Sequence, residues 1–310
     1  MRILFVTSNR LGDAVLSTGL LAHLIRAHPD ARITVACGPV AEGVFARMPN
    51  RERTIVLDKL PWRLHWLPLW TRTMGTLWDL VVDIRGSTIA WMIPTRRRAV
   101  MRRRPGRKIE QLAAVLGLDP PPLPVAWTAP ADRACAAALL PPGRPVIGLG
   151  PTANWPAKVW PAERFAALFR VLAHGPLPGA VPAIFAGPGE AERTTALPLL
   201  DALPEAIDLV GRLSLPEVAA CLARCTLFVG NDSGLMHLAA AAGVPTLGLF
   251  GPTPSEEYAP AGINAAAVVS TSTLMQDLSV EAAVAAAARL VAIEHAAVRC
   301  SRRVASSTQA

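Results

Sequence analysis

The chain has 310 residues, of which 52% are hydrophobic and 5% aromatic, and its formal net charge is +8 at pH 7. This length accommodates two domains that each bury a core, and small apolar residues suit helices that pack closely on a sheet. The composition excludes a disordered chain, and no apolar segment approaches the ~20 residues that a membrane-spanning helix needs.

The first residues and the cysteines both indicate the compartment. A short apolar run followed by polar residues at the start predicts a strand and not a signal peptide. The five cysteines are scattered, and only Cys221 and Cys225 are spaced like a metal pair. No second Cys/His pair completes a site, so we interpret these two as small buried residues on one helical face. We therefore expect a cytoplasmic protein.

Apolar runs alternate with helical segments along both halves of the chain, which is typical of parallel sheets covered on both faces. A helix is predicted over 13–27, and further helices over 162–173 and 215–223. The predicted strands are 3–6, 33–37, 54–57 and 79–84 in the first half, and 145–150, 181–187, 207–211, 226–230 and 245–250 in the second.

A proline-rich stretch at 119–130 interrupts this pattern, which restarts at 140–150. We predict an α/β fold with two Rossmann-like, doubly wound parallel-sheet domains at 1–140 and 141–275. A C-terminal helix and tail occupy 276–310. Ligands of such sheets bind beyond the carboxyl ends of the strands, so the loops that follow strands are the candidate sites.

One segment, Arg96–Lys108, carries the whole excess of positive charge. RRRAVMRRRPGRK contains eight basic and no acidic residues, and the other 23 basic and 23 acidic residues of the chain balance. Such a run attracts polyanions such as anionic phospholipid headgroups or a phosphorylated glycolipid, although a solvated basic loop has the same composition. Aromatic residues do not interleave with the arginines, and no nucleic-acid-binding motif accompanies them. We therefore do not expect nucleic acid as a partner.

The segment GNDSGLMHLAAAAGVPTLGLFGPT (230–253) contains a strand end, a polar turn and an alanine-rich helix that Gly243 closes. Asp232 or Ser233 can cap this helix, and the free N–H groups from Gly234 onward favour an anion. His237 lies in the first turn and can face the same ligand. The structural alternative is a simple N-cap and a core histidine, but a second glycine-containing loop, LFGPT, follows the next strand and favours a ligand site.

Two other loops of the second half carry charged candidates. Lys158, in GPTANWPAKVWP (150–161), is placed to neutralise a phosphate as a point charge. Glu190, in AGPGEAER (186–193), can accept hydrogen bonds from sugar hydroxyls, with Glu192 as the alternative carboxylate. This glycine turn does not satisfy the G-x-G-x-x-G dinucleotide fingerprint, because Glu192 stands where the third glycine belongs.

The loop after the first strand, TSNRLGD, supplies a fourth candidate site. Gly12 permits a tight turn, and Asp13 opens the following helix. The helix dipole stabilises a carboxylate at that position, which is a structural explanation in itself. The functional interpretation makes Asp13 a general base.

Together these stretches resemble the bacterial ADP-heptose:lipopolysaccharide heptosyltransferases, glycosyltransferase family nine, over about residues 1–260. The resemblance is carried by LGDAVLSTGLLAHLIRAHPDARI, WPAKVWP, GPGEAER and, most specifically, GNDSGLMHLAAAAGVPTLGLFGPT. It implies a GT-B architecture of two Rossmann-like domains that face each other across a cleft, with the C-terminal helix packing back toward the first domain. Gly19 follows Thr18 where the family usually has proline, a departure that concerns the acceptor more than the nucleotide.

The resemblance also implies roles for the candidate residues. Asp13 is the catalytic base that deprotonates an acceptor hydroxyl, Lys158 neutralises the diphosphate, and Glu190 holds the ribose. The donor nucleotide and its sugar contact Asp232, Ser233, Gly234 and His237, and we include Gly12 among the ligand-binding residues.

This chemistry requires neither a metal nor a cofactor, because a lysine and a helix N-terminus stabilise the departing diphosphate. No D-x-D sequence occurs in the chain, so we expect no metal site of that type. We therefore predict an inverting, metal-independent transfer of heptose from ADP-heptose, which is a substrate, to a lipopolysaccharide core or related glycan. The expected partners are this donor, a phosphorylated glycolipid acceptor and, through Arg96–Lys108, the anionic inner face of the inner membrane.

Three other functions are compatible with parts of the pattern. A GT-B enzyme that uses another nucleotide sugar has the same fold. A dinucleotide-dependent oxidoreductase has similar domains, although the glycine fingerprint is not satisfied. A nucleotide-sugar-binding protein that has lost catalysis keeps the same loops, although the presence of Asp13 argues against it.

Overall fold

The computed structural model describes residues 1–58, 66–102 and 104–307, and only the backbone at 295 and 297–307. The chain forms two compact units: Met1–Ala129 with Ser214–Pro216, and Pro130–Leu213 with Glu217–Ala310. We predicted a boundary at 140/141, whereas the structure assigns the helix at Pro130–Leu139 to the second unit. Arg103 of the basic run and residues 308–310 of the predicted tail lie outside the described residues.

The first unit contains a five-stranded parallel sheet in the order β3-β2-β1-β4-β5. Its strands are β1 (Arg2–Val6), β2 (Arg32–Cys37), β3 (Arg51–Val56), β4 (Trp78–Asp83) and β5 (Thr95–Val100). Its helices are α1 (Leu11–Ala27), α2 (Trp66–Thr73), α3 (Ile89–Met92) and α4 (Lys108–Ala113). The chain winds outward from β1 through β2 to β3 and then returns to β4 on the other side, so the prediction of a doubly wound parallel sheet is confirmed.

The second unit contains a six-stranded parallel sheet in the order β11-β10-β9-β6-β7-β8. Its strands are β6 (Val146–Gly150), β7 (Val181–Ile184), β8 (Ile207–Asp208), β9 (Leu227–Asn231), β10 (Thr246–Phe250) and β11 (Ala265–Val269). The helices in the second half of the chain are α5 (Pro130–Leu139), α6 (Ala162–His174), α7 (Glu190–Ala202), α8 (Leu215–Leu222), α9 (Gly234–Ala241), α10 (Ser255–Tyr258) and α11 (Val280–Ser307).

The predicted strands form where continuous apolar runs can be buried on both faces. The last four residues of β1 and every residue of β6, β9 and β10 are buried. The start of α11 covers the second sheet, where Ala283, Ala287 and Leu290 join the core with α6. That α11 packs back toward the first domain stays a prediction. No described helix is both long and apolar enough to cross a membrane.

The structure explains the glycine at position 19. A Cβ built on Gly19 would lie 2.8 Å from the carbonyl oxygen of Leu123 and closer still to that of Pro122. The neighbouring Thr18 hydroxyl accepts a hydrogen bond from the Val125 amide at 2.8 Å. Helix α1 therefore packs directly on the backbone of the proline-rich stretch, and this contact excludes a side chain at position 19.

Part of the basic run is a strand, which the sequence did not indicate. Residues 95–100 form β5, which pairs with β4 at the edge of the first sheet. This part of the run is therefore a strand and not a loop. Arg96 and Arg97 are exposed there, and charged side chains on an edge strand oppose pairing with another sheet.

Candidate active site

The second sheet reverses its winding between two neighbouring strands, β6 and β9. From β6 the chain continues through β7 to β8 on one side, and from β9 it continues through β10 to β11 on the other. Loops at the carboxyl ends of strands at such a point diverge and leave room for a ligand. Lys158 lies in the loop after β6, and Asp232 follows β9 directly.

The fold brings these two charged residues into direct contact. Lys158 Nζ lies 2.6 Å from Asp232 Oδ2, although the residues are 74 positions apart in the sequence. Their side chains are only 18% and 8% exposed, respectively. A short charge-assisted bond between shielded groups fixes both side chains, and it makes the loss of either partner costly. The sequence predicted both residues but not that they pair.

Two residues that the sequence did not single out hold the loop of Lys158. The side chain of Asn231, which is fully buried, accepts a hydrogen bond from the Trp160 amide at 3.1 Å and donates one to the Pro151 carbonyl at 2.8 Å. The Trp160 indole donates to the Leu278 carbonyl at 2.9 Å. Asn231 could have been identified from the sequence as a polar residue at the end of an apolar strand. A buried amide at such a position requires hydrogen-bond partners.

Neither of the predicted capping residues caps helix α9. Ser233 occupies the N-cap position in an extended conformation without a side-chain capping bond, and Asp232 contacts Lys158 instead. The Ser233 hydroxyl is buried, with no hydrogen-bond partner in the part of the chain that the structure describes. The first N–H groups of a helix have no partner within the helix. This N-terminus, which starts at Gly234, therefore presents donors and a positive dipole beside Lys158.

The other residues predicted from this segment lie as expected along α9. His237 is buried in the first part of the helix, with 4% exposure. Gly243 follows the last helical turn with φ of +84°, a left-handed conformation that suits glycine after a helix.

The two candidate carboxylates after β7 have different environments. Glu192 is half-buried, and its Oε2 accepts a hydrogen bond from the Gly187 amide at 3.2 Å. Glu190 is the first residue of α7 and is exposed. Since β7 is the neighbour of β6, Glu190 lies at the same edge of the sheet as Lys158. Glu192 thus closes its own loop, and Glu190 remains available to a ligand.

Asp13 lies in the first unit, at the corresponding edge of the first sheet. It is half-buried in the first turn of α1, and its Oδ2 accepts a hydrogen bond from the Ser8 hydroxyl at 3.2 Å. Ser8 Oγ in turn accepts one from the Arg10 amide at 3.1 Å. The adjacent Gly12 is also half-buried in this turn. One carboxylate oxygen of Asp13 therefore has a fixed orientation.

The paired cysteines match their structural interpretation. Cys221 and Cys225 are both buried, and burial raises the pKa of Cys221 to about 12 and that of Cys225 further. Thiols with such pKa values are protonated at neutral pH and are poor metal ligands and nucleophiles. Over the described residues, no group of three or more His, Cys, Asp and Glu side chains is arranged to hold a metal ion.

Comparison with known proteins places this geometry in a family. The sequence matches the profile of glycosyltransferase family 9 (heptosyltransferase) over residues 94–286. This match includes Lys158, Glu190 and the segment around Asp232, whereas Asp13 precedes it. Lipooligosaccharide heptosyltransferase 2 of Haemophilus influenzae is 29% identical over 307 residues, which covers 84% of this chain and 86% of that protein.

Solved structures with the same fold extend the likeness over nearly the whole chain. A family 9 glycosyltransferase from Veillonella parvula superposes with a TM-score of 0.79 at 22% identity, covering 94% of this chain and 97% of that one. ADP-heptose lipopolysaccharide heptosyltransferase II of E. coli gives 0.75 at 22% identity, with 95% and 100% covered. The two parallel-sheet α/β domains are thus those of the GT-B heptosyltransferases. Since the family profile matches well over half of the sequence, the chain belongs to glycosyltransferase family 9, the heptosyltransferase family.

Proposed function

We propose that this protein transfers heptose from ADP-heptose to a lipopolysaccharide core or a related glycan, with inversion at the anomeric carbon and without a metal ion. The observation that carries the proposal is the shielded Lys158–Asp232 pair beside the uncapped N-terminus of α9. A departing nucleoside diphosphate develops negative charge, and a fixed ammonium group and a helix N-terminus stabilise that charge.

The donor site follows from this arrangement. The N–H groups from Gly234 onward and the orphaned Ser233 hydroxyl donate to the diphosphate, and Lys158 neutralises it. The Asp232 carboxylate repels phosphate, so its role is to hold Lys158 and to accept hydrogen bonds from hydroxyls of the donor sugar. His237, farther along α9, completes this set.

Glu190 completes the donor site on the neighbouring loop. Its exposed carboxylate accepts hydrogen bonds from the ribose hydroxyls, whereas Glu192 is already bound to its own loop.

Asp13 supplies the base. An acceptor hydroxyl oxygen attacks the anomeric carbon of the donor sugar, the bond from that carbon to the diphosphate oxygen breaks, and ADP leaves with the bonding electron pair. Asp13 Oδ takes the proton of the attacking hydroxyl. The hydrogen bond from Ser8 holds one carboxylate oxygen, and it thereby also fixes the orientation of the second oxygen. Gly12 allows the acceptor to approach the turn.

The nucleotide preference tests the donor assignment. In a thermal-shift panel with ADP, UDP, GDP, CDP and NAD at equal concentration, we expect selective stabilisation by ADP. A ligand at 100 times its Kd adds about 2.7 kcal/mol of stability, which such a measurement resolves readily. A preference for UDP or GDP would indicate a donor other than ADP-heptose. A response to NAD alone would contradict glycosyl transfer.

We also propose that the first unit associates with an anionic membrane surface. Arg97, Arg102 and Arg104 are exposed, and the Arg98 guanidinium stacks 4.9 Å from the centre of the Trp91 ring. Trp91 itself is 64% exposed. Basic residues near an anionic leaflet contribute about 1 kcal/mol each, and an exposed tryptophan suits the headgroup region. We therefore propose a cytoplasmic enzyme that works at the inner face of the inner membrane.

Vesicle binding tests this association. Since each reversed arginine loses its attraction and adds repulsion, Arg97→Glu/Arg102→Glu should bind phosphatidylglycerol vesicles at least about tenfold more weakly than wild type in a sedimentation assay. The matched control, Arg26→Glu/Arg224→Glu, changes the charge equally at exposed positions outside the run and should bind as wild type. Equal loss in both variants would indicate a net-charge effect, and no loss in either would exclude the run as a membrane contact.

A further inference from the structure

The first sheet has a switch point of its own, which the donor site does not use. The winding reverses between β1 and β4, which are parallel neighbours with Val6 paired to Asp83. Ser8 and Asn9 lie two and three residues beyond the end of β1, and Arg85 lies two residues beyond the end of β4. The loops that carry Asp13 and Arg85 therefore emerge side by side at the edge where ligands of such sheets bind.

The guanidinium of Arg85 is held in place on both sides. Its Nη1 donates to the Asn9 side-chain oxygen at 3.3 Å, and its guanidinium carbon lies 4.6 Å from the centre of the Trp66 ring. Ser8, the residue before Asn9, is the hydrogen-bond donor to Asp13. Two consecutive residues thus contact the two charged groups: Asn9 binds the Arg85 guanidinium, and Ser8 binds the Asp13 carboxylate.

The turn that presents Arg85 is built by Asp83. This carboxylate is fully buried and accepts the Arg85 and Ser87 amides, each at 2.8 Å. Gly86 has φ of +63°, and a Cβ there would lie 2.8 Å from the Met101 carbonyl oxygen. Burial raises the pKa of Asp83, although the hydrogen bonds from Ser87 and Arg85 oppose the shift. The role of Asp83 is therefore structural: it holds the backbone of the turn that carries Arg85.

The Arg85 side chain keeps most of its hydrogen-bonding capacity. A guanidinium has five N–H donors, and the Asn9 contact uses one of them. Among the described residues, Arg85 has no carboxylate within ion-pair distance. It is half-buried, and desolvation lowers its pKa, although attraction to the Asp83 carboxylate opposes this shift. A partly shielded cation with unused, fork-shaped donors is the arrangement that binds a carboxylate or phosphate bidentately.

We infer that Arg85 binds an anionic group, a carboxylate or a phosphate, on the acceptor sugar and thereby places the reacting hydroxyl at Asp13. This assignment rests on the proposed function for the identity of the reaction, but the anion site itself stands on the geometry of the first unit. Arg85 is a specificity residue for charged acceptors. Its guanidinium contacts the substrate, and it takes no proton from it.

Acceptor binding, measured by calorimetry, tests Arg85 independently of transfer. The probes are deacylated lipopolysaccharide cores with no heptose or one heptose, each untreated, dephosphorylated, or with carboxylates reduced to alcohols. Of the two untreated cores, the one that wild type binds more tightly is the reference. We expect Arg85→Met to weaken binding of this core at least tenfold, and Arg85→Lys to recover part of the lost affinity. Wild type should show the same weakening with one of the two treated cores, which identifies the anion. On the treated core that lacks this anion, Arg85→Met should bind about as weakly as wild type does.

The control is Arg53→Met, which removes an exposed arginine elsewhere in the first unit and should bind as wild type. ADP affinity should stay within error for Arg85→Met, because the donor residues lie in the other unit. A melting temperature well above the assay temperature shows that the variant is folded. If Arg85→Met binds the untreated core as wild type does, or loses equally on all cores, the inference is overturned. If wild type binds the core through Arg85 but transfers no heptose from ADP-heptose, the proposed function fails and the anion site stands. If it neither binds nor transfers, both fail.

Discussion

Asp13→Asn should lower kcat for heptosyl transfer by about 10²–10⁴-fold, the usual contribution of a positioned general base. The amide is isosteric and can still accept the Ser8 hydrogen bond seen at 3.2 Å, so the turn at the start of α1 should persist. An amide cannot take the proton of the attacking hydroxyl. The measurement is single-turnover transfer with ADP-heptose, accompanied by ADP affinity, which should not change.

Ser8→Ala is the control for positioning. It removes the hydrogen bond to Asp13 without removing the carboxylate, so we expect a smaller loss of kcat than in Asp13→Asn. A kcat for Asp13→Asn within a few-fold of wild type would remove Asp13 from the role of base. A parallel loss of ADP affinity would indicate instead that the substitution disturbs the fold.

Lys158→Met should both destabilise the protein and weaken ADP binding. The substitution leaves the Asp232 carboxylate, only 8% exposed, without its partner at 2.6 Å. Breaking a shielded ion pair in this way costs about 3–5 kcal/mol. ADP affinity should fall at least tenfold, because the charge that neutralises the diphosphate is lost. Chemical denaturation and calorimetry measure the two effects.

The double variant Lys158→Met/Asp232→Asn separates the two roles of the lysine. Removing both charges should recover much of the stability, because no unpaired carboxylate remains, but ADP affinity should stay low. Lys108→Met is the matched lysine control, since Lys108 begins α4 in the first unit and the donor loops belong to the second unit. Recovery of ADP affinity in the double variant would show that Lys158 only compensates Asp232 and does not bind phosphate.

Edge strands account for most of what the sequence missed in the fold. The interior strands of both sheets were predictable because burial on two faces selects continuous apolar runs, as in β1, β6, β9 and β10. Strand β5 consists largely of arginines, and β11 is a half-buried run of alanine and valine. Among the described strands each lies at the edge of its sheet beside a single neighbour, so neither needs the apolar pattern that identifies an interior strand.

For the candidate site, the sequence by itself determined which loops are the candidates. Lys158, Glu190, Asp232 and Asp13 were identified because each follows a predicted strand, and parallel strands place such loops at one edge of a sheet. Tertiary structure alone decided which of these residues meet. The strand order sets β6 beside β9 and β1 beside β4, so Lys158 reaches Asp232 across 74 positions and Arg85 reaches Asn9 across 76. Local sequence encodes the burial of each strand, but the order of strands depends on how all of them pack at once.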